Sequence, residues 1–185
     1  MEPTGDLDRD ILRADRIDRH IRLDVGRLEL CQSSPLRSRR KRGAFNNAIG
    51  RSRGGQTTKI HALTDDIGRP LAFVVTPGNI HDLVGARILI DMVRRPRRLL
   101  ADRAYDAKSL RDELAQRRIK AVIPPNPTRK HPHRYDKDAY KGRNVIERMF
   151  CRLKDFRRIA TRYDKRADNF LSAVLLAAAL TWWIN

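Results

Sequence analysis

The apolar positions of the chain fall first into short strand-like runs and then into alternating helical and strand-like stretches. Residues 57–63 and 70–76 predict two strands, which the turn at residues 65–68 joins into a hairpin. The stretches that follow predict, in order, a helix, a strand, a helix and a strand, at residues 82–93, 99–101, 107–118 and 119–123. A hairpin followed by this alternation predicts an α/β fold with a mixed sheet and helices packed on it.

The segment before the hairpin gives a weaker pattern. Residues 21–25 alternate as a short strand would and place Asp24 near its end, but the apolar residues that follow blur its limits. Residues 37–55 hold seven Arg or Lys and no acidic residue, so they predict a mobile basic loop or arm that contacts phosphate. The chain therefore divides into a poorly defined basic region, residues 1–50, and a core, residues 51–185.

Composition indicates the kind of partner. The 40 Lys and Arg against 22 Asp and Glu give a net charge of +18, which predicts a polyanionic partner, most simply nucleic acid. Cys31 and Cys151 form no metal-binding motif and are interpreted as reduced thiols. The apolar run 170–184 is shorter than the ~20 residues that span a bilayer, so it predicts a buried terminal helix capped by Asn169. Since the amino terminus shows no secretory signal, we expect a cytoplasmic, nucleoid-associated protein with no membrane or small-molecule partner.

The stretch 140–154 predicts an amphipathic helix with a charged stripe beside its apolar face. At 100° per residue, Tyr140, Arg143, Glu147 and Lys154 lie within an arc of about 60°. The simplest interpretation is a solvated stripe, in which Arg143 and Glu147 form an i,i+4 ion pair that contributes a few tenths of a kcal/mol. The alternative is a functional carboxylate held between cations.

Asp102 is a second candidate carboxylate, because it directly follows a short apolar strand. Side chains at such strand ends project into the crevice where binding sites gather, and Glu147 lies on a later helix that can pack across the same sheet. Phosphoryl transfer by two metal ions commonly uses three clustered carboxylates. The structural alternative for Asp102 is a cap for the following turn, or an ion pair with Arg103.

Taken together, these motifs resemble the bacterial insertion-sequence transposases of the DDE class, which have an RNase H-like core. The resemblance rests on the order and spacing of five segments, residues 50–61, 77–82, 101–106, 122–125 and 140–154. It implies that Asp102 and Glu147 are the second and third acidic metal ligands, with Mg²⁺ or Mn²⁺ as the cofactor. It also implies that Tyr140, Arg143 and Lys154 support the DNA of the element ends, which fits their chemistry as phosphate-binding and stacking groups.

The first acidic ligand of the family ends the first strand, and at roughly that distance before the hairpin the candidate is Asp24. The residues after Asp24 depart from the family pattern, as a truncated or frame-shifted copy would. If Asp24 is not a ligand, two carboxylates remain and the chemistry should be weak or lost. Arg51, Arg53 and Lys59 are further candidates for contact with double-stranded DNA, at element ends or at the target, and a homodimer is an open possibility.

The resemblance predicts a transposase that cleaves element ends and joins them to target DNA. Two alternatives stay open, a catalytically inactive DNA-binding remnant that competes with or regulates transposition, and a stand-alone RNase H-like nuclease. The polar residues around the hairpin are given structural roles. His61 is expected to face outward from its strand, and Asp82 or Asn79 to cap the helix that follows.

Overall fold

The computed structural model describes residues 47–52, 55–93 and 96–184 in full, and the backbone of residues 28–32 and 36–37. Within these ranges the strands are β1 (Leu28–Gln32), β2 (Leu36–Arg37), β3 (Gly50–Ser52), β4 (Gly55–Thr64), β5 (Pro70–Pro77), β6 (Arg98–Ala101) and β7 (Lys120–Val122). The helices are α1 (Asp82–Met92), α2 (Lys108–Gln116), α3 (Lys137–Lys141), α4 (Asn144–Lys154), α5 (Arg157–Ala160) and α6 (Ala167–Trp182), with a 3-10 turn at Arg103–Tyr105.

These strands form one mixed sheet. β4 and β5 make the predicted antiparallel hairpin, with Thr58 opposite Pro77 at one end and Thr64 opposite Pro70 at the other. β1 pairs antiparallel with the opposite edge of β4 and parallel with β6, and β6 pairs parallel with β7. The order across the sheet is therefore β5-β4-β1-β6-β7, while β2 and β3 pair with the amino-terminal part of β4. The predicted α/β class with a mixed, RNase H-like sheet is confirmed.

Helices α1 and α2 cover one face of this sheet. Their apolar stripes pack on side chains of β4, β5 and β6. This contact removes the apolar surface of both the helices and the sheet from water. Burying each large aliphatic side chain stabilises the fold by about 1.5–3 kcal/mol. The buried residues of this cluster are Leu63, Ala72, Ala86, Leu89, Ile90, Leu99, Ala101, Tyr105, Leu110, Leu114, Ile119 and Ile123.

Helices α4, α5 and α6 cover the opposite face. The buried stripe of α4 and the inner side of α6 meet the hairpin, so the sheet lies between two helical layers. Helix α4 also contacts β1, the central strand. The buried residues of this second cluster are Ile60, Ala62, Phe73, Ile146, Met149, Phe150, Leu153, Ile159, Phe170, Val174, Ala177 and Ala178.

The structure changes the predicted limits of the amino-terminal region. The strand next to β6 runs over Leu28–Gln32, whereas the predicted strand at residues 21–25 lies outside the described residues. Parts of the predicted basic loop, residues 37–55, are ordered as β2 and β3 on β4. The predicted loop is therefore wrong at these positions. These short basic segments have no apolar pattern of their own, but β4 supplies hydrogen-bond partners for their backbone groups.

The predicted continuous helix over residues 140–154 is interrupted. Tyr140 belongs to α3, and α4 begins at Asn144 after a turn at Gly142 and Arg143. Both turn residues keep right-handed helical backbone angles, so the chain bends without leaving the helical region. A glycine inside a helix costs about 1 kcal/mol relative to alanine, which makes this a favourable place for the interruption.

His61 is fully buried, so the prediction that it faces outward is wrong. The alternation rule fails here because β4 is an interior strand covered by helices on both faces. The His61 Nε2 lies 2.8 Å from the Thr76 hydroxyl, and the ring packs so closely on α1 that a side chain at Gly85 would meet it at 2.5 Å. Burial lowers the pKa of His61 to about 4, so the ring is neutral at pH 7.

The carboxy-terminal helix starts earlier than predicted and is exposed along part of its length. It begins at Ala167 after the cap position Arg166, so Asn169 lies inside the helix and does not cap it. Its outer face exposes Leu175, Leu176 and Leu180. In the part of the chain that the structure describes, no helix combines the length and hydropathy needed to cross a membrane.

Candidate active site

Asp102 stands where β6 ends, as the sequence predicts. Its Oδ1 accepts a hydrogen bond from the Ala104 N–H at 3.0 Å, so it also caps the 3-10 turn that follows. Burial raises the pKa of Asp102, and the neighbouring carboxylates of Asp82 and Glu147 raise it further. The Ala104 N–H and the Arg143 guanidinium act in the opposite direction. The predicted cap and the predicted site are therefore compatible, since one carboxylate oxygen caps the turn while the group lies among other charges.

Glu147 lies in the first turn of α4, within electrostatic range of Asp102. The Arg143 Nη2 donates to its Oε1 at 2.5 Å, and the Glu147 side chain is 49% exposed while that of Arg143 is 23% exposed. The predicted i,i+4 pair is thus present. An ion pair at this exposure contributes little stability, so its main effect is to fix the direction of the carboxylate.

Tyr140 extends this group although it lies on a different helix. The Arg143 guanidinium lies 5.7 Å from the centroid of the Tyr140 ring, whose edge meets Tyr135 at 5.6 Å between centroids. Burial raises the pKa of the Tyr140 hydroxyl, and the charges of Asp102 and Glu147 contribute to the same shift. The turn between α3 and α4 therefore keeps the tyrosine beside the two carboxylates.

Asp82 is a nearby carboxylate whose position sequence reasoning missed. It is the first residue of α1, and the cap is instead His81, whose Nδ1 accepts from the Leu83 N–H at 3.2 Å. The Asp82 Oδ1 lies 2.7 Å from the Nζ of Lys59, which also donates to the Ile80 carbonyl at 2.8 Å. The sequence shows an acidic residue soon after the end of the hairpin. It does not show that this residue pairs with Lys59, which lies 23 residues earlier in the chain.

The other residues predicted to contact DNA differ in their exposure and in their partners within the protein. Lys154 is exposed at the last turn of α4, on the helix that carries Glu147, and Arg51 is exposed on β3. Lys59 is engaged within the protein by Asp82. Asp24 and Arg53 lie outside the described residues.

Asp106 is the second acidic residue of segment 101–106, and it holds the loop that follows β7. Its fully buried carboxylate pairs with Arg111 at 2.7 Å and with Arg129 at 3.1 Å, and it accepts from the Asn126 N–H at 2.7 Å. Burial alone would raise the pKa of Asp106, but these hydrogen bonds and charges lower it. The carboxylate therefore stays ionised and fixes the path of the chain after β7.

The described residues fit a divalent cation in part. Asp102 and Glu147 supply the hard oxygen ligands that Mg²⁺ and Mn²⁺ prefer. Burial is the main cause of the raised pKa of Asp102, and a bound cation would favour the ionised form of this carboxylate. Among the fully described side chains, however, no three His, Cys, Asp or Glu groups lie close enough to hold a metal ion. A third protein ligand would have to come from elsewhere in the chain.

A mixed sheet with an acidic strand end, faced by a helix that carries a second carboxylate, is typical of RNase H-like enzymes that act on nucleic acid backbones. Residues 18–182 match the family model of the transposase DDE domain. The chain belongs to this family and is the catalytic domain of a DNA transposase, with DNA as its partner. Membership also implies dependence on a divalent metal ion.

Related proteins agree with this family. The chain is 41% identical over 127 residues to the transposase assigned to insertion sequence element IS6501 of Brucella ovis, across 68% of this chain and 98% of that relative. It is 33% identical over 148 residues to the transposase assigned to IS402 of Burkholderia cepacia, across 74% of this chain and 67% of that relative. A chain of the simian T-cell lymphotropic virus intasome shares the fold at 12% identity with a TM-score of 0.52, over 87% of this chain and 49% of that one.

Proposed function

We propose that Asp102 and Glu147 are metal ligands of a transposase that cleaves the ends of its insertion sequence and joins them to target DNA. The observation that carries the proposal is geometric: Asp102 follows the end of β6, and Glu147 lies on α4, the helix that packs against β1, the strand paired with β6. Bound Mg²⁺ or Mn²⁺ would activate the attacking hydroxyl and stabilise the leaving oxygen of a phosphodiester. Asp24 stays a prediction for a further ligand.

The protein side chains around these carboxylates have separate tasks. Arg143 orients the Glu147 carboxylate through their ion pair, and a guanidinium at this place is also the group that best matches a phosphate. Tyr140 can stack on a base or donate to a backbone oxygen, and Lys154 can meet the strand further along α4. Arg51, exposed on β3, fits a contact to the duplex, and Arg53 stays a prediction. A Lys59 contact would require the ion pair with Asp82 to open.

The substrate accounts for the overall charge of the chain. A net charge of +18 favours binding to DNA through release of counterions, so affinity should fall steeply as salt concentration rises. We therefore propose that the protein acts in the cytoplasm, on the DNA of the nucleoid. A homodimer, with one copy on each element end, stays a prediction.

The test uses a plasmid that carries the complete insertion sequence with its flanking DNA, incubated with the purified chain and Mg²⁺ or Mn²⁺. We expect strand breaks at the element ends that disappear in Asp102→Asn and in Glu147→Gln, while DNA binding at low salt is retained. Asp155→Asn is the matched control, because Asp155 is an exposed acid at the other end of α4. Equal cleavage by the two site variants and the unsubstituted chain would refute the assignment.

A further inference from the structure

The pairing of β1 with its two neighbours identifies the position on β1 that lies beside Asp102. β1 and β6 are parallel, with Leu28 opposite Leu99 and Leu30 opposite Ala101. The pairing ends there, and the next residue is Cys31 on β1 and Asp102 after β6. Because the carboxyl ends of parallel strands meet at one edge of a sheet and neighbouring strands are ~4.8 Å apart, position 31 adjoins the candidate site.

The antiparallel pairing with β4 shows which face of the sheet this position belongs to. Cys31 is opposite Ala62, which is buried in the cluster that α4 and α6 form. Gln32 is opposite His61, which packs on Gly85 of α1 at the other face. Directly paired positions share a face, so position 31 lies on the α4 side and position 32 on the α1 side. Helix α4, which carries Glu147, contacts β1 itself.

We propose that position 31 of β1 is the place from which a third ligand reaches the metal site, and that Cys31 leaves this chain with a two-carboxylate site. The proposal rests on the proposed function of Asp102 and Glu147. A cysteine offers no hard oxygen, and cation affinity in carboxylate sites rises with the number of charged ligands. The chain should therefore hold Mg²⁺ or Mn²⁺ weakly and cleave DNA slowly, and an aspartate at position 31 should strengthen both.

Other carboxylates are less suitable for this place. Glu29 shares the α4 face, but it lies two residues back from the strand end, opposite Leu100, which is fully buried. Asp82 is neutralised by the ammonium of Lys59. The predicted ligand Asp24 lies outside the described residues, so the experiment below includes its variant.

The experiment measures Mn²⁺ binding by electron paramagnetic resonance on the full chain, with no DNA present. We expect Cys31→Asp to lower the Kd for Mn²⁺ roughly tenfold or more. The control is Cys31→Asn, because asparagine has the shape of aspartate without its charge, and this variant should leave the Kd unchanged. The gain should vanish in the double variant Cys31→Asp with Asp102→Asn. In the plasmid assay, Cys31→Asp should also cleave at least about tenfold faster than the unsubstituted chain.

Several results would overturn the inference. Two tightly held Mn²⁺ ions in the unsubstituted chain, or loss of its Mn²⁺ binding in Glu29→Gln or Asp24→Asn, would show that another residue completes the site. The inference is also refuted if Cys31→Asp folds normally by circular dichroism and binds Mn²⁺ no better than Cys31→Asn, because position 31 then supplies no ligand. Tighter Mn²⁺ binding without cleavage by any variant would instead contradict the proposed function and leave the metal position standing.

Discussion

Arg162 should be a major determinant of stability, although its guanidinium pairs with no carboxylate in the described structure. The residue is 5% exposed. Its guanidinium donates to the carbonyls of Asn47 at 2.8 Å and Ala48 at 3.2 Å, and it contacts the Thr58 hydroxyl at 2.5 Å. Burial lowers the pKa of Arg162, but its ordinary value is so high that the charge persists at pH 7.

Replacing this side chain with methionine keeps most of the volume and removes every donor. The Ala48 carbonyl would retain its hydrogen bond from the Thr58 hydroxyl at 2.6 Å. The Asn47, Asp164 and Lys165 carbonyls would each lose the hydrogen bond from the guanidinium. Each carbonyl left without a partner costs about 1–3 kcal/mol, and release of a buried charge offsets part of this sum. We expect Arg162→Met to lower the free energy of unfolding by about 3 kcal/mol.

The assay is urea unfolding followed by far-ultraviolet circular dichroism at pH 7.5. Arg162→Lys keeps the charge but cannot reach the separate acceptors of the planar guanidinium, so it should lose about 2 kcal/mol. Arg166→Met is the control, because Arg166 is exposed and pairs with Asp168 at the surface, and its unfolding midpoint should not move. A loss below about 1 kcal/mol in Arg162→Met would refute the reasoning.

Two further predictions concern buried ionisable groups. Because the pKa of His61 is about 4 in the folded chain and 6.5 in a free side chain, protons bind the unfolded state preferentially between these values. Stability should hold above pH 6.5 and fall by roughly 3 kcal/mol as the pH drops to 4, and urea unfolding of His61→Gln across this range should show a smaller fall. Asp106→Asn should weaken the ion pairs with Arg111 and Arg129, cost about 2 kcal/mol and speed trypsin cleavage near residue 129. The exposed pair of Asp112 with Lys108 supplies the control, since Asp112→Asn should change neither measurement.

The hairpin and the strand that ends at Asp102 could be predicted because their signals are local. Turn residues, apolar runs and the two prolines that follow β7, Pro124 and Pro125, lie within a few residues of the elements they define. The helix around Glu147 could be predicted for the same reason, since α4 carries a complete apolar stripe. The break after Tyr140 was missed because a single glycine only weakens a helix and does not decide where it ends.

Other features depend on partners that the local sequence does not reveal. β1 is short and does not alternate clearly, and its place follows from pairing with β4 and β6. The burial of His61 depends on a second helical layer that covers the sheet from the other side. Asp82 was predicted to cap the helix because capping signals lie within one turn of the helix start. Its ion pair with Lys59 joins the helix to a strand earlier in the chain, which no local signal reveals. Sequence reasoning therefore located the two carboxylates more reliably than their surroundings.

The central position of β1 has a consequence for how the protein folds. Leu28 pairs with Leu99, so the central strand leaves the ribosome about 70 residues before its parallel neighbour exists. Contacts so distant in sequence are slow to form because loop closure must precede them. Until β1 is inserted, the β4–β5 hairpin and the β6–β7 pair are two unconnected pieces of sheet with open edges. We therefore expect this domain to fold late and to expose aggregation-prone strand edges during synthesis, so that its yield in the cell depends on chaperones as much as on its final stability.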